Sequence, residues 1–212
     1  MHDCATRIVA ETRKQQGRGK VNRISQIDAS QANGNTKRLF DDLQAKLGLV
    51  PNLFCVLGNS PAALEGYLNF SGALACGSFD LKLREQIALT VAGSNLCRYC
   101  LSAHTFIGGR AGLTEMEIAD AGHAISAIAK TNAILKLARN IVVQRGEVSD
   151  ADLDQSRASG LTDGEIVETV ANVALNIFTN YVNHVARTVV DFPEVKLDPV
   201  ELNRIQNQPK RM

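Results

Sequence analysis

The chain has 212 residues, of which 45% are hydrophobic and 21% charged, and its formal net charge is +1. This is the composition of a soluble globular protein, and the near-zero charge argues against a nucleic-acid or anionic-membrane partner. No apolar run approaches the roughly 20 residues that a membrane-spanning helix requires. The five cysteines are an odd number and too sparse for a disulfide scaffold, so we expect a reducing, cytoplasmic environment.

Polar and basic residues dominate the N-terminal part of the chain, and glycines interrupt it. We predict that residues 1–34 form a mostly flexible tail, which lacks the apolar core of a secretory signal. An alternative is that translation begins near Val21, where the sequence resembles an ordinary domain start. The remainder is predicted as one helical domain over 35–195, followed by a C-terminal extension over 196–212.

Beyond the tail, the sequence is rich in helix start and stop signals. A helix is predicted over Thr36–Leu47, ended by Gly48, because glycine tolerates the left-handed conformation common at helix C-termini. Ser60 followed by Pro61 predicts the start of a helix that runs to about Cys76.

The next two predicted helices are separated by Gly93-Ser94-Asn95. Asp80 is predicted to cap the first of them, which carries an apolar stripe. Ser94 or Asn95 is predicted to cap the second, which carries the residues from Cys97 to Arg110.

Capping boxes begun by Thr114 and Thr162 predict the starts of two more helices. Three long segments also read as helical: about Ser126 to Arg145, about Asp150 to Ser159, and Asp163 to about Val190. No segment shows the strict alternation of a strand, and no proline lies between Pro61 and Pro193. The sequence therefore predicts an all-α fold.

Two segments align without gaps at an offset of 80 residues, LREQIALTVAGSNLCRYCLSAH and DGEIVETVANVALNIFTNYVNH. The glutamate and histidine of the first segment, Glu85 and His104, are both matched in the second. We interpret the similarity as a repeat, which predicts two related helical halves over about 35–123 and 124–195. Chance similarity is the alternative, because amphipathic helices resemble one another.

The most informative motif is C-x-x-C-x-x-x-H, formed by Cys97, Cys100 and His104. At about 3.6 residues per turn, these offsets bring the three side chains onto one helix face. A thiol near a helix N-terminus, beside a second thiol and an imidazole, is deprotonated more readily than a free cysteine. Glu85 lies on the preceding helix, and its carboxylate completes a proton relay if the two helices pack together.

These groups suit the reduction of a peroxide. A thiolate attacks the O–O bond and becomes a sulfenic acid, and the second thiol condenses with it to give a disulfide and water. A pair of thiols one helical turn apart needs little backbone movement for the second step. The histidine and the glutamate would supply the proton to the leaving alkoxide or hydroxide.

Other sites were weighed against this interpretation. A structural zinc site needs four ligands, and the remaining histidines, His2, His123 and His184, have no ligand spacing, so we expect no metal. A thioredoxin-like site belongs in a βαβ unit, which this chain lacks. Two buried cysteines acting as small hydrophobic residues are the structural alternative.

The remaining cysteines and tyrosines are predicted to be structural. Cys55 and Cys76 have no suitable polar neighbours in sequence and are expected in the core or at helix ends. Tyr67 and Tyr181 are predicted as core residues.

The order Glu85, Cys97-x-x-Cys100, His104 resembles the relay motif of the AhpD-like alkylhydroperoxidases, in the carboxymuconolactone decarboxylase superfamily. The flanking segments LGLVPNLFCVLGNSPAALEGYLNFSGAL and NIFTNYVNHVARTVVDFP are similar to that family's uncharacterised peroxidase-related members. The resemblance extends over about residues 21–195.

The resemblance implies an AhpD-like helical fold with the motif helix packed in the core, assembled as a homo-oligomer, either trimer or hexamer. It also implies that Cys100 attacks the peroxide and Cys97 resolves, with His104 as the base acting on Cys100 and Glu85 starting the relay through Cys97. The best-studied members carry another histidine between the two cysteines. Tyr99 stands there in this chain and cannot shuttle a proton near neutral pH as an imidazole can.

Three functions follow from these observations. The first is a cofactor-free thiol peroxidase or thiol–disulfide oxidoreductase that acts on hydroperoxides and is regenerated by a dithiol or a protein reductant. The second is a lactone decarboxylase of the carboxymuconolactone type, which needs acid–base residues but no thiol pair. The third is a non-enzymatic redox sensor whose disulfide alters assembly or partner binding.

Overall fold

Helices form nearly all of the regular structure between Gly34 and Ala186, which confirms the all-α prediction. In a computed structural model, which describes residues 22–196, the part described contains no strand. The helices are α1 (Gly34–Leu47), α2 (Asn52–Leu57), α3 (Pro61–Ala75), α4 (Leu81–Ser94), α5 (Arg98–Arg110), α6 (Glu115–Gly122), α7 (Ala129–Gln144), α8 (Asp150–Ala158) and α9 (Asp163–Ala186). No helix in the described part is both long enough and apolar enough to cross a bilayer.

Four of the nine helices in the described residues begin at capping residues that the sequence indicates. Ser60 and Asp80 accept hydrogen bonds from the backbone N–H groups of the first turns of α3 and α4. Thr114 and Thr162 form the two predicted capping boxes, each with the glutamate three residues later. Gly48 ends α1 with φ +78°.

Three boundaries differ from the prediction. The helix predicted from Ser126 begins at Ala129. The last helix ends at Ala186, because Arg187 adopts the left-handed conformation with φ +51°. The short helix α2 was not predicted, because its segment shows no helical periodicity in sequence. It begins after Pro51 without a side-chain cap.

Helix α4 lies at the centre of the fold. Its residues 85–92 are all buried, and the helix packs against α5, α6, α7 and α9. Because these residues are buried on every side, α4 separates two apolar clusters. One cluster lies toward α7, and the other lies toward α1, α2 and α3. Cys97, Tyr99 and Cys100 belong to the second cluster, so the thiol motif lies in the core as the family resemblance implies.

The two segments that align in sequence have different conformations. The first contains a break, because α4 ends at Ser94 and α5 begins at Arg98, whereas the second forms the single continuous helix α9. The break occurs at Leu96, a non-glycine residue with φ +53°. The proposed repeat and its boundaries stay predictions.

Residues 22–33, which fall within the predicted flexible tail, are hydrogen-bonded to the helical domain. Arg23 N–H donates to the Ala186 carbonyl at 2.7 Å, and Ile27 N–H donates to the Cys55 carbonyl at 2.9 Å. Residues 1–21, and with them the possible start near Val21, lie outside the described residues, as do residues 197–212 of the predicted C-terminal extension.

The segment that follows α9 crosses α5 and is anchored by Tyr99. The Tyr99 hydroxyl accepts the Leu53 N–H at 3.1 Å and also hydrogen-bonds to the carboxylate of Asp191. Asp191 in turn accepts the Asn52 N–H at 2.8 Å. Phe192 meets the Tyr99 ring edge-on, with 5.8 Å between centroids. Tyr99 therefore joins α5, α2 and the C-terminal segment.

We predict that Tyr99→Phe destabilises the protein by about 1–3 kcal/mol, because it leaves the Leu53 N–H and the Asp191 carboxylate each without one hydrogen-bond partner in the core. Urea unfolding measures the change. Tyr181→Phe is the control, since Tyr181 is exposed and should stay within about 0.5 kcal/mol of the parent. A Tyr99→Phe variant as stable as the parent would contradict the anchoring role.

Candidate active site

Cys97 is held at the junction between α4 and α5 by a Schellman turn. Leu96 N–H donates to the Gly93 carbonyl at 3.1 Å, and Cys97 N–H donates to the Ala92 carbonyl at 2.9 Å. The same residue is the N-cap of α5, and its carbonyl accepts the Leu101 N–H at 2.8 Å. The expectation that Ser94 or Asn95 caps this helix is therefore wrong, since Cys97 takes that position itself.

The N-cap position favours a thiolate at Cys97. Hydrogen bonds from the Cys100 thiol and from the backbone N–H groups of Cys100 and Tyr99 lower the pKa of Cys97 below its usual value, although burial opposes them. The positive charge of His104 acts in the same direction. The two backbone N–H groups belong to the first turn of α5, where they have no partner within the helix. A cap residue ordinarily satisfies such groups with a side-chain oxygen.

Cys100 lies one turn further on and keeps its proton more firmly. Burial raises its pKa well above the usual range, and donation to Cys97 and the negative charge there raise it further. Both thiols are free and only 2% exposed. Cys97 is therefore the more acidic thiol of the pair, and Cys100 is the thiol that holds its proton more strongly.

Glu85 and His104 form a buried ion pair beside the thiols. Glu85 Oε2 lies 2.8 Å from His104 Nδ1, which joins the middle of α4 to the second turn of α5. Burial alone would lower the pKa of His104, but the Glu85 carboxylate and the Cys97 thiolate outweigh it and the pKa is raised. The four residues predicted from the sequence are thus brought together, and Glu85 contacts His104 directly.

Helix α9 contributes polar groups that the sequence interpretation missed. Asn183 Nδ2 donates to Cys100 Sγ at 3.2 Å, and the Asn180 carbonyl lies 3.9 Å from Cys97 Sγ. Asn180 Oδ1 accepts from Asn95 Nδ2 at 3.1 Å, which ties α9 to the helix junction. A signal was present in the sequence, because Asn172, Asn176 and Asn180 recur every four residues along one face of α9, and all three are buried.

The other residues considered in the sequence lie apart from the thiol pair. Cys55 is buried in α2, and Cys76 is exposed at the end of α3. His184 is exposed, and its Nε2 lies 3.0 Å from the Asn95 carbonyl. Tyr67 is the exception and lies near the pair. Burial and the negative charges of Cys100 and Glu85 raise its pKa to about 12.

A cavity of about 420 Å³ lies on the far side of α5 from the thiol pair, lined by Leu101, Thr105 and residues of α6. None of the four predicted site residues lines it. In residues 22–196, no three His, Cys, Asp or Glu side chains are arranged so that they could share a metal ion.

Comparison with known proteins gives a family match for the central helices. Residues 61–144, which include α3 to α7 and the whole Glu–Cys–Cys–His set, match the sequence model of the Carboxymuconolactone decarboxylase family. Over these helices the chain is similar to that family. A search of curated protein sequences gives no significant match.

Several solved structures share the fold of this chain. One is the AhpD core of an uncharacterized peroxidase-related protein from Ralstonia eutropha JMP134, with TM-score 0.72, 21% identity, and coverage of 82% of this chain and 94% of that one. A second peroxidase-related protein, from Silicibacter sp. TM1040, has TM-score 0.70 and 22% identity, with coverage of 82% and 95%.

A third similar structure is the debrominase Bmp8, which has been solved with 2,3,4-tribromopyrrole. It has TM-score 0.67 and 15% identity, and the match covers 87% of this chain and 96% of that one. These neighbours confirm the AhpD-like helical fold that the family resemblance implies.

We predict that Glu85→Gln lowers the pKa of His104, because burial then acts without the opposing carboxylate. An NMR titration of the His104 ring measures this directly. In the parent protein the raised pKa means that protonated His104 stabilises the fold fully below its unfolded pKa of about 6.5, and that this contribution is lost as the pH rises through the folded value.

In Glu85→Gln that pH dependence of the melting temperature should reverse, because a His104 pKa below the unfolded value makes stability fall as the pH drops. Glu165→Gln is the matched control, because Glu165 bonds Thr162 and Lys130 away from the thiols. An unchanged His104 titration in Glu85→Gln would show that the ion pair does not control this imidazole.

Proposed function

We propose that this protein is a thiol-dependent peroxidase, alkylhydroperoxidase-like in type, that reduces hydroperoxides by forming a disulfide between Cys97 and Cys100. The supporting observation is the buried set itself: a thiol at a helix N-terminus that favours the thiolate, a protonated thiol beside it, and an imidazole held by Glu85. A structural cysteine pair needs neither the imidazole nor the carboxylate.

The first step joins the thiolate to the peroxide. The Cys97 thiolate attacks the terminal oxygen of the hydroperoxide, the O–O bond breaks, and the products are a sulfenic acid on Cys97 and an alkoxide. Protonated His104, held by Glu85, gives its proton to the alkoxide and releases an alcohol. The raised pKa of His104 favours the protonated imidazole that this step requires.

The second step closes the disulfide. The Cys100 thiol loses its proton to neutral His104, and its sulfur attacks the sulfur of the Cys97 sulfenic acid. The S–O bond breaks, and the hydroxide that leaves takes up the proton as water. A dithiol or protein reductant then returns both cysteines to thiols and is itself oxidised to a disulfide. In sum, one hydroperoxide and two thiols give one alcohol, one water and one disulfide.

This order reverses the one implied by the family resemblance, in which Cys100 attacks and Cys97 resolves. Two features support the reversal. The N–H groups of the first turn of α5 point to Cys97, and the charge of His104 acts on Cys97. Cys100 instead donates its proton to Cys97 and is left less acidic.

The assembly and location of the enzyme form part of the same proposal. A homo-oligomer, trimer or hexamer, is supported by an exposed apolar face on α9, formed by Val167, Val170, Phe178, Tyr181 and Val185. Two free thiols that cycle with a reductant suit the reducing cytoplasm.

We predict that Cys97→Ser slows the reaction with cumene hydroperoxide by at least about 10²-fold, because it removes the attacking thiolate. Cys100→Ser should consume one equivalent of peroxide without turnover and leave a sulfenic acid on Cys97, trapped by dimedone and located by mass spectrometry. Cys55→Ser, which alters a buried thiol away from the site, is the control. If Cys97→Ser reacted with cumene hydroperoxide and Cys100→Ser did not, Cys100 would be the attacking thiol instead.

The lactone decarboxylase is the second candidate, favoured by the name of the matching family. It needs no thiol, so a Cys97→Ser/Cys100→Ser double variant would keep decarboxylase activity. A wild-type protein that consumes no hydroperoxide, with a double variant that decarboxylates the lactone, would replace the peroxidase proposal. A disulfide that changes subunit assembly without turnover would instead indicate a sensor.

A further inference from the structure

Asn183 differs from the other buried asparagines of α9 in what its amide group contacts. Asn172 Nδ2 donates to the Glu168 carbonyl and Asn176 Nδ2 to the Asn172 carbonyl, each at 2.9 Å, so these two side chains bond back to their own helix. Asn183 Nδ2 leaves the helix and donates to Cys100 Sγ at 3.2 Å. Its Oδ1 is buried and accepts no hydrogen bond.

A buried amide oxygen without a partner is uncommon and marks a group kept for a purpose other than packing. This one belongs to a side chain that is only 5% exposed and touches a sulfur of the thiol pair. An acceptor at that point suits an oxygen-bound hydrogen, which a hydroperoxide carries. The amide therefore offers a donor to the sulfur and an acceptor to a bound oxygen species.

Cys100 has few other groups to stabilise its charge. Its own backbone N–H is directed to Cys97. The titratable groups that act on it are Cys97, Tyr99 and Tyr67, and both tyrosines have raised pKa values and stay neutral. A hydrogen bond from Thr179 also lowers the pKa of Cys100, but the single hydroxyl proton of Thr179 is shared with the Asn176 carbonyl, which lies 3.0 Å from Oγ1.

We propose that Asn183 is a further catalytic residue, whose Nδ2 stabilises the thiolate of Cys100 when that sulfur carries negative charge. The proposal rests on the proposed function, yet it holds for either order of attack. Cys100 is a thiolate when it resolves the sulfenic acid, and it is a thiolate when it attacks first. Hydrogen bonds to charged groups are stronger than those to neutral ones, so the donor favours the anion over the thiol.

The test measures Cys100 alone, in a Cys97→Ser background that removes the coupling between the thiols. Alkylation of Cys100 by iodoacetamide is followed against pH by peptide mass spectrometry, which separates it from the other cysteines. Asn183→Leu, similar in volume but without a donor, should slow alkylation by about tenfold at pH 8 and move the profile to higher pH.

Two further variants complete the design. Asn183→Asp has nearly the same shape, and its carboxylate lacks the donor and adds a negative charge, so it should slow alkylation at least as much as Asn183→Leu even if the leucine variant folds poorly. Asn176→Leu is the matched control, because Asn176 is a buried asparagine of the same helix whose side chain donates to the Asn172 carbonyl, and its profile should stay at that of the background. Circular dichroism checks the fold of each variant.

The outcomes separate this proposal from the peroxidase proposal. Asn183→Leu and Asn183→Asp profiles equal to the background would overturn the role of Asn183, whatever the wild-type protein does with peroxide. A wild-type protein that consumes no peroxide would overturn the peroxidase, and the alkylation profiles would still decide whether Asn183 stabilises the Cys100 thiolate. An equal shift in Asn176→Leu would indicate a general effect on α9 and would also contradict the proposal.

Discussion

The site depends on one turn of backbone, the Schellman turn between α4 and α5. It makes Cys97 the residue that ends one helix and begins the next, with its N–H bonded to Ala92 and its carbonyl to Leu101. If the chain continued as a single helix through this point, as it does in α9, Cys97 would lie within a helix and no free N–H groups would face its sulfur. The break thus converts two buried cysteines into an asymmetric pair.

The asymmetry is maintained by the low polarity of the core. A negative charge at Cys97 and a positive charge at His104 each need compensation, because burial penalises both. Glu85 provides it for His104, and the first turn of α5 provides it for Cys97. The two helices that carry these groups pack closely, so each ionised group stabilises the next.

The conformation at the break has a cost. Leu96 occupies the left-handed region, which costs a non-glycine residue roughly 1–2 kcal/mol. Packing on both sides of the junction offsets this cost, since the residues before it fill the centre of the fold and Cys97 and Cys100 belong to an apolar cluster. Asn95 Nδ2 donates to Asn180 Oδ1, and the Asn95 carbonyl accepts from His184 Nε2, so both contacts fasten the turn to α9.

Much of the fold could be predicted from the sequence, because its signals are local. Ser60, Asp80, Thr114 and Thr162 each cap the helix that they were expected to cap. The ends at Leu96 and Arg187 were not predictable in this way, since a non-glycine residue in the left-handed region has no local signature.

The residues of the candidate site were likewise predictable only where the signal is local in sequence. The helical spacing of Cys97, Cys100 and His104 predicted that these residues lie close together, and the family motif added Glu85. The contact from Asn183 depends on how α9 packs against α5, more than 80 positions away in the chain, and spacing within one segment carries no such information. The role of Tyr99 was hidden similarly, because its partners Leu53 and Asp191 come from distant segments.

The central claim is that Cys97 and Cys100 are a redox pair. The most direct measurement treats the reduced protein with one equivalent of cumene hydroperoxide and then counts the free thiols and maps the disulfide by peptide mass spectrometry. The account predicts that the free thiols fall from five to three per chain, with a single bond between Cys97 and Cys100. Five thiols remaining, or a disulfide that involves Cys4, Cys55 or Cys76, would contradict it.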